Sequence, residues 1–217
     1  MSGSATRLPG VDATGVFVAF EGGDGAGKST QVRLLADWLT SLGREVLVTR
    51  QPGGTPLGAQ IRDLVLHGDH VSPRAEALLF AADKAQHVDL VIRPALEAGG
   101  VVITDRYTDS SIAYQGAGRD LGADEVAQLQ RWAVDSVVPD LTVIIDVSAQ
   151  EGRRRRGEVH DRLESEGDAF HESVRAHFLA LAAQAPHRYL VLDGTLPADD
   201  LAAAVREALV RGAVVGT

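Results

Sequence analysis

The sequence predicts a three-layer α/β domain in which helices cover both faces of a five-stranded parallel sheet. Three observations predict it. Short β-branched runs alternate with long stretches of helical periodicity along most of the chain, and such alternation implies parallel strands joined by right-handed crossovers. The strand runs are mostly apolar instead of alternating, as befits strands covered on both faces. The 217 residues include no cysteine, and a chain of that length buries enough surface to fold without disulfides.

Residues 1–14 are small, polar and aperiodic and read as a disordered leader, with the domain spanning 15–212 and a short tail at 213–217. The first strand is expected at 16–20, followed by a glycine-rich turn and a helix over 28–42 that Gly43 stops. The second strand follows at 45–49. Ser72-Pro73 opens a long helix over 73–98, since proline suits the first helical position, and Gly99-Gly100 ends it before the third strand at 101–104. A helix over 123–137 and a strand at 141–147 come next. Helix 164–184, strand 188–192 and helix 197–210 complete the series. No internal repeat and no linker divides the domain. One charge run, Arg153 to Arg156, falls inside it.

Thirty acidic against twenty-one basic side chains give a net charge of −9. That balance argues against a broad surface for a nucleic-acid polymer or an anionic membrane, so any anionic ligand must be held by a local arrangement. The first residues lack the apolar core of a signal peptide, and no stretch approaches the roughly 20 apolar residues of a membrane span. The expectation is a soluble, cytoplasmic protein. Among the basic residues only Lys28 and Lys84 are lysines, leaving 19 arginines, and there is no asparagine.

In open parallel sheets ligands sit beyond the carboxyl ends of the strands. After the first strand stand Gly22, Gly23, Asp24, Gly25, Ala26, Gly27, Lys28 and Ser29, then Thr30. This is G-x-x-x-x-G-K-[ST] between a strand and a helix, which makes the predicted architecture a P-loop sandwich. Glycines let backbone N–H groups curl round a phosphate, and the helix offers its positive N-terminus. Lys28 can reach β- and γ-phosphates, while the Ser29 hydroxyl can ligate Mg²⁺. The ligand class is therefore a nucleoside triphosphate such as ATP. Guanine reading by N-K-x-D is excluded because the chain has no asparagine. A small kinase fits best, with water or a second small molecule as the competing acceptors.

Further motifs follow the second and third strands: Thr49-Arg50-Gln51-Pro52-Gly53-Gly54-Thr55, and Asp105-Arg106-Tyr107 with Ser110-Ser111-Ile112-Ala113-Tyr114-Gln115-Gly116. Together with the phosphate loop, they resemble those of the thymidylate kinase family over about residues 16–210. Arg106, just past a strand end, suits bidentate phosphate binding, and the resemblance implies that it grips the acceptor monophosphate, dTMP. Asp105 at the strand end suits Mg²⁺, directly or through water. Asp24 matches an acidic residue facing the acceptor sugar and phosphate, and equally suits a loop-capping carboxylate.

Phe80 and Lys84 are four apart on a predicted helix and can face one cleft. The resemblance implies that Phe80 stacks on thymine and Lys84 contacts the base, although Phe80 also suits an ordinary core. By the same resemblance Arg62 contacts the acceptor phosphate, and Ser111, Tyr114 and Gln115 surround base and sugar. Tyr114 is suited to crowd a ribose 2′-hydroxyl. Residues 149–163 correspond to a lid over the ATP phosphates. Some relatives carry an arginine in the phosphate loop and others a lid arginine instead. Gly25 places this chain with the latter, so Arg153, Arg154, Arg155 and Arg156 are the candidates for neutralising charge during transfer. The resemblance also implies a homodimer, with which apolar positions such as Leu129, Trp132 and Ala133 are compatible, as they are with core.

Two positions depart from the pattern. Gln51 stands where glutamate is common, removing a negative charge near the acceptor or its metal. Lys84 stands where arginine is usual, and lysine lacks the planar two-point donor geometry of a guanidinium. Base recognition is thus expected to be altered or loosened. The competing readings are a kinase for another pyrimidine nucleoside monophosphate, and a nucleotide-binding regulatory protein without turnover.

Overall fold

The computed structural model describes residues 15–119, 121–157 and 161–212; the expected leader and tail lie outside these. The element order is β1 (Val16–Glu21), α1 (Lys28–Ser41), β2 (Val46–Arg50), α2 (Pro56–Arg62), α3 (Pro73–His87), α4 (Arg93–Glu97), β3 (Val101–Asp105), α5 (Thr108–Ser111), α6 (Ala123–Val134), β4 (Leu141–Asp146), α7 (Ala149–Arg156), α8 (Asp168–Gln184), β5 (Tyr189–Asp193) and α9 (Ala198–Gly212). The five strands form one parallel sheet in the order β2-β3-β1-β4-β5. In its register Phe20 pairs with Asp105, Arg50 also pairs with Asp105, and Glu21 pairs with Ile144. The carboxyl ends of β1, β2 and β3 thus meet along one edge, which is where the motif residues are delivered.

Alternation along the strands divides the core. Val18 and Phe20 of β1 join Ile103, Val143 and Ile145 against Leu35 and Leu39 of α1 and Leu201 and Val205 of α9. Phe17 and Ala19 face the other way, onto Val88, Ile92, Val102 and Tyr107. A third cluster sets Phe80, Tyr114 and Ile144 against Val174 and Phe178 of α8. Each fully buried aliphatic or phenyl side chain of this kind stabilises the fold by about 1.5–3 kcal/mol. Among the described residues, no helix is long and apolar enough to cross a membrane.

Several expectations are corrected. The strands expected to be covered on both faces are so at the sheet centre, where β1, β3 and β4 lie. At the edges Val48 of β2 and Val191 of β5 are 49% and 43% exposed, because an edge strand lacks a neighbour on one side. The single helix expected over 73–98 is α3 and α4 joined by a π turn, Val88–Ile92. Pro94 supplies no N–H, and its ring crowds the carbonyl one turn back, so the preceding turn widens.

Helices at 56–67 and 108–118, each ending in a π segment, were not expected from the periodicity. The first begins with a legible signal: Thr55 Oγ1 accepts from Gly58 N at 2.9 Å, and Pro56 takes the first position. Of the apolar positions on α6, Ala133 is buried and Leu129 partly so, whereas Trp132 is 81% exposed.

Candidate active site

The turn after β1 wraps on itself because Gly22, Gly25 and Gly27 take φ values of 128°, 76° and 100°. At Gly22 a Cβ would also lie 2.4 Å from the Ile145 carbonyl oxygen, so the loop runs against β4. Lys28, buried at the start of α1, donates from Nζ to Gly22 O at 3.1 Å and Gly23 O at 2.8 Å. No acidic residue occupies the first turn of α1, so its positive end is unopposed by its own side chains. Ser29 Oγ donates to Asp105 Oδ2 at 2.8 Å, joining two hard oxygen donors of the kind Mg²⁺ takes.

Arg106 follows directly from Asp105 and turns sharply, at φ 68°. A side-chain-bearing residue in that region costs about 1–2 kcal/mol, offset here by a pinned peptide: Arg106 N donates to Phe20 O and Thr104 Oγ1 donates to Arg106 O, both at 2.9 Å. Its Nη1 donates to Gly22 O at 3.1 Å and Ser110 Oγ at 2.9 Å. Its Nη2 donates to Asp24 Oδ1 at 2.5 Å and Tyr114 Oη at 3.3 Å. Tyr114 Oη in turn donates to Asp24 Oδ2 at 2.9 Å. Burial alone would raise the proton affinity of Asp24, but Arg106, Lys28 and the Tyr114 hydroxyl outweigh it and hold the carboxyl well below its usual range.

A cavity opens beside this cluster, and it collects all the residues expected around an acceptor. Arg106, Asp24, Arg62 and Tyr114 line one part. Phe80, Lys84, Ser111, Gln115 and Gln51 line the rest. Lys84 is buried, donates to Ser111 Oγ at 2.8 Å and lies 5.5 Å from the Phe80 ring centre. Burial draws its ammonium down to about 8, more than Asp83 and Glu21 restore. Arg62 donates to Pro52 O at 3.1 Å and, among the described residues, forms no ion pair. Burial and then Arg50 lower its proton affinity, the second being like-charge repulsion that a bound phosphate would relieve.

Gln51 faces the cavity yet its amide is engaged behind it, Nε2 lying 2.8 Å from His87 Nδ1, with His87 Nε2 2.7 Å from Thr49 Oγ1. Burial, then the Lys84 charge, bring His87 down to about 4, so the ring is neutral at physiological pH and Gln51 is its uncharged partner. Gln115 is similarly tied, donating at 2.8 Å to the fully buried Glu76.

Sequence reasoning missed His87 and Asp83, which accepts from Gly53 N at 3.1 Å. Their signal was available: with Phe80 and Lys84 they occupy one face of α3 at helical spacing. Asp161 and Leu163 fall within the expected lid, but neither they nor Glu164 were singled out as the cavity wall that they complete from the segment after α7.

The four lid arginines are not brought into this cavity. Arg153 pairs with Asp168 at 2.5 Å, and Arg154 and Arg155 both pair with Glu151, at 2.7 and 2.5 Å. Arg156 lies 3.7 Å from Glu164 Oε2. They ride on helix α7, where successive side chains point about 100° apart, so a run of four fans round the axis. The helix itself packs backbone to backbone on the phosphate loop. A Cβ on Gly25 would lie 2.2 Å from Gly152 O, and one on Gly152 2.5 Å from Asp24 O.

A parallel sheet of this order, a phosphate loop at its central strand and an arginine-lined cavity beside that loop define a P-loop nucleotide kinase. The family model described as "Thymidylate kinase" matches residues 20–205. The chain is 55% identical over 197 residues to a protein named thymidylate kinase from Clavibacter michiganensis subsp. michiganensis, covering 89% of this chain and 93% of that one. It is 56% identical over 195 residues to one so named from Cutibacterium acnes, covering 89% and 95%. The crystal structure of thymidylate kinase from Ehrlichia chaffeensis superimposes with a TM-score of 0.76 at 33% identity, over 90% of this chain and 98% of that chain. The chain belongs to the thymidylate kinase family.

Proposed function

We propose that this protein transfers the γ-phosphoryl group of ATP to dTMP, giving ADP and dTDP. One observation carries the reading. Arg106 bridges the phosphate loop, through Gly22 O and Asp24, to the cavity that holds Phe80 and Lys84, so donor and acceptor phosphates would share one guanidinium as a common wall. An oxygen of the acceptor phosphate attacks the γ-phosphorus in line, and the bond to the β-phosphate oxygen breaks. The attacking oxygen is already anionic, so no strong general base is needed; positioning and charge neutralisation do the rest.

Lys28 and the backbone of residues 22–30 hold the donor, Arg106 and Arg62 the acceptor phosphate, and Phe80 with Lys84, Ser111 and Gln115 the base. Asp24 and Tyr114 orient Arg106 and close the sugar side. Ser29 and Asp105 would hold Mg²⁺, which when bound supplies charge neutralisation between the β- and γ-phosphates. The lid reading of 149–163 can be narrowed. Arg155 and Arg156 lie three and four residues beyond Gly152, on the helix face that meets the phosphate loop, so they are the arginines of choice for the donor. Closure there would exclude water and suppress hydrolysis.

A cytoplasmic homodimer belongs to the same reading. Support for the dimer is that Leu64, Leu78, Leu90 and Trp132 are all exposed, on or next to helices that pack on one another.

The test is a panel of nucleoside monophosphates assayed with MgATP. Highest kcat/KM for dTMP is the expected result; another acceptor ranked well above it would overturn the substrate assignment. Lys84 adds a pH signature. With its ammonium at about 8 in the free protein, kcat/KM for dTMP is expected to fall as pH rises through about 8, because the neutral amine keeps no charge for a pyrimidine carbonyl. Lys84→Arg is expected to remove that limb of the profile and to sharpen thymine over cytosine, whose 4-amino group cannot accept from a guanidinium. An unchanged limb in the variant would remove Lys84 from base recognition.

A further inference from the structure

The end of β1 carries a carboxylate that the mechanism above does not use. Glu21 immediately precedes the phosphate-loop motif, is completely buried and does not line the cavity. A buried carboxylate is costly unless donors surround it, and three do. Glu21 Oε1 accepts from Tyr107 N at 2.8 Å and from Ser110 N at 3.1 Å, while Oε2 accepts from Ser110 Oγ at 2.5 Å.

All three donors belong to the turn that presents Arg106. On its amino side that turn is held by Phe20 O, which accepts from Arg106 N; on its carboxyl side it is held by Glu21. Two adjacent residues of β1 therefore clamp the left-handed arginine from both sides. The clamp extends to the guanidinium. Because the Ser110 hydroxyl gives its proton to Glu21, its lone pairs face Arg106 Nη1, which donates to it at 2.9 Å. Burial, and then the nearby Asp109 carboxyl, raise the proton affinity of Glu21, and Arg106 and the hydrogen bonds oppose them.

We propose that Glu21 is a positioning residue for phosphoryl transfer, acting through Ser110 to fix the backbone turn and the guanidinium plane of Arg106 toward the acceptor phosphate. The proposal rests on Arg106 being the acceptor arginine, so Arg106→Ala is assayed beside it.

Glu21→Gln is isosteric. It keeps an oxygen for the two backbone N–H groups but turns an NH₂ toward Ser110, which then faces two donors and no acceptor. With one charge-assisted hydrogen bond lost, kcat/KM for dTMP is expected to fall about 10-fold or more, while KM for ATP stays within about twofold. Ser110→Ala is expected to do the same, and Ser110→Thr, which retains the hydroxyl, to restore most of the loss. The decisive measurement is the cycle. If the two residues act in series, the double variant is no worse than Glu21→Gln by more than about twofold.

Additive losses, equal rises in both KM values, or no change in either single variant would each overturn the proposal. Should Glu21→Gln fail to fold, the Ser110→Ala and Ser110→Thr pair decides by the same split between the two KM values. An Arg106→Ala variant with unchanged acceptor kinetics would remove Arg106 from the acceptor site, and the positioning role with it. A large Arg106 effect with none at Glu21 or Ser110 would sink only the positioning role.

Discussion

Arg106→Ala is expected to lower turnover of dTMP at least about 10²-fold, the scale of removing one preorganised charged donor from a transition state. Four acceptors now converge on this side chain: Gly22 O, Ser110 Oγ, Asp24 Oδ1 and Tyr114 Oη. Its removal takes away the side chain proposed to hold the acceptor phosphate. It also leaves Asp24 buried without its principal counter-charge, so that carboxyl climbs back toward or above its usual range. Both the KM for dTMP and kcat should suffer, whereas ATP binding should be retained through Lys28. Arg106→Lys is expected to recover little, because one ammonium on a flexible stem cannot serve acceptors spread round a planar guanidinium. Steady-state kinetics on protein with a native circular dichroism spectrum is the measurement, and near-normal turnover would remove Arg106 from the mechanism.

Lys28→Ala should cost a comparable factor, again at least about 10², with the opposite distribution. The ammonium is buried and spans the loop carbonyls of Gly22 and Gly23. Burial and the neighbouring Arg106 depress its proton affinity, and the carboxylates of Asp105, Asp24 and Glu21 act against them. The variant therefore loses both the charge proposed to meet the γ-phosphate and the tether to the Gly22 and Gly23 carbonyls that closes the loop. kcat and the KM for ATP should be affected far more than binding of dTMP, measurable by equilibrium titration of the acceptor alone. Normal single-turnover rates in this variant would contradict the assignment of the loop.

These contrasts show which parts of the site were readable in the residues. The phosphate loop was legible because its job is done by backbone conformation, which only glycines at set spacings permit. The five parallel strands were legible because alternation of strand and helix leaves few ways to pair them. Gln51 and Lys84 were marked as departures, but what they touch was hidden. The neutral pairing of Gln51 with His87, and the hydrogen bond from Lys84 to Ser111, depend on which helix face meets which turn. Glu21 was given no role, although it directly precedes the phosphate-loop glycines; that role exists only once β1 and the turn after β3 lie side by side. The lid run was conspicuous in composition yet not directional, since four consecutive residues on a helix cannot all point one way.

The contact between Gly25 and Gly152 constrains substitution. With φ 76° at Gly25 and opposing carbonyl oxygens 2.2 and 2.5 Å from any added Cβ, neither position tolerates a side chain while the other partner stays in place. Placing an arginine in the loop at position 25 is thus not one substitution away. It requires the helix to withdraw and the loop to accept a strained residue, with the intermediate sequence holding neither arrangement well. An arginine in the loop and helix α7 seated against it are therefore alternatives that a single substitution at Gly25 does not exchange.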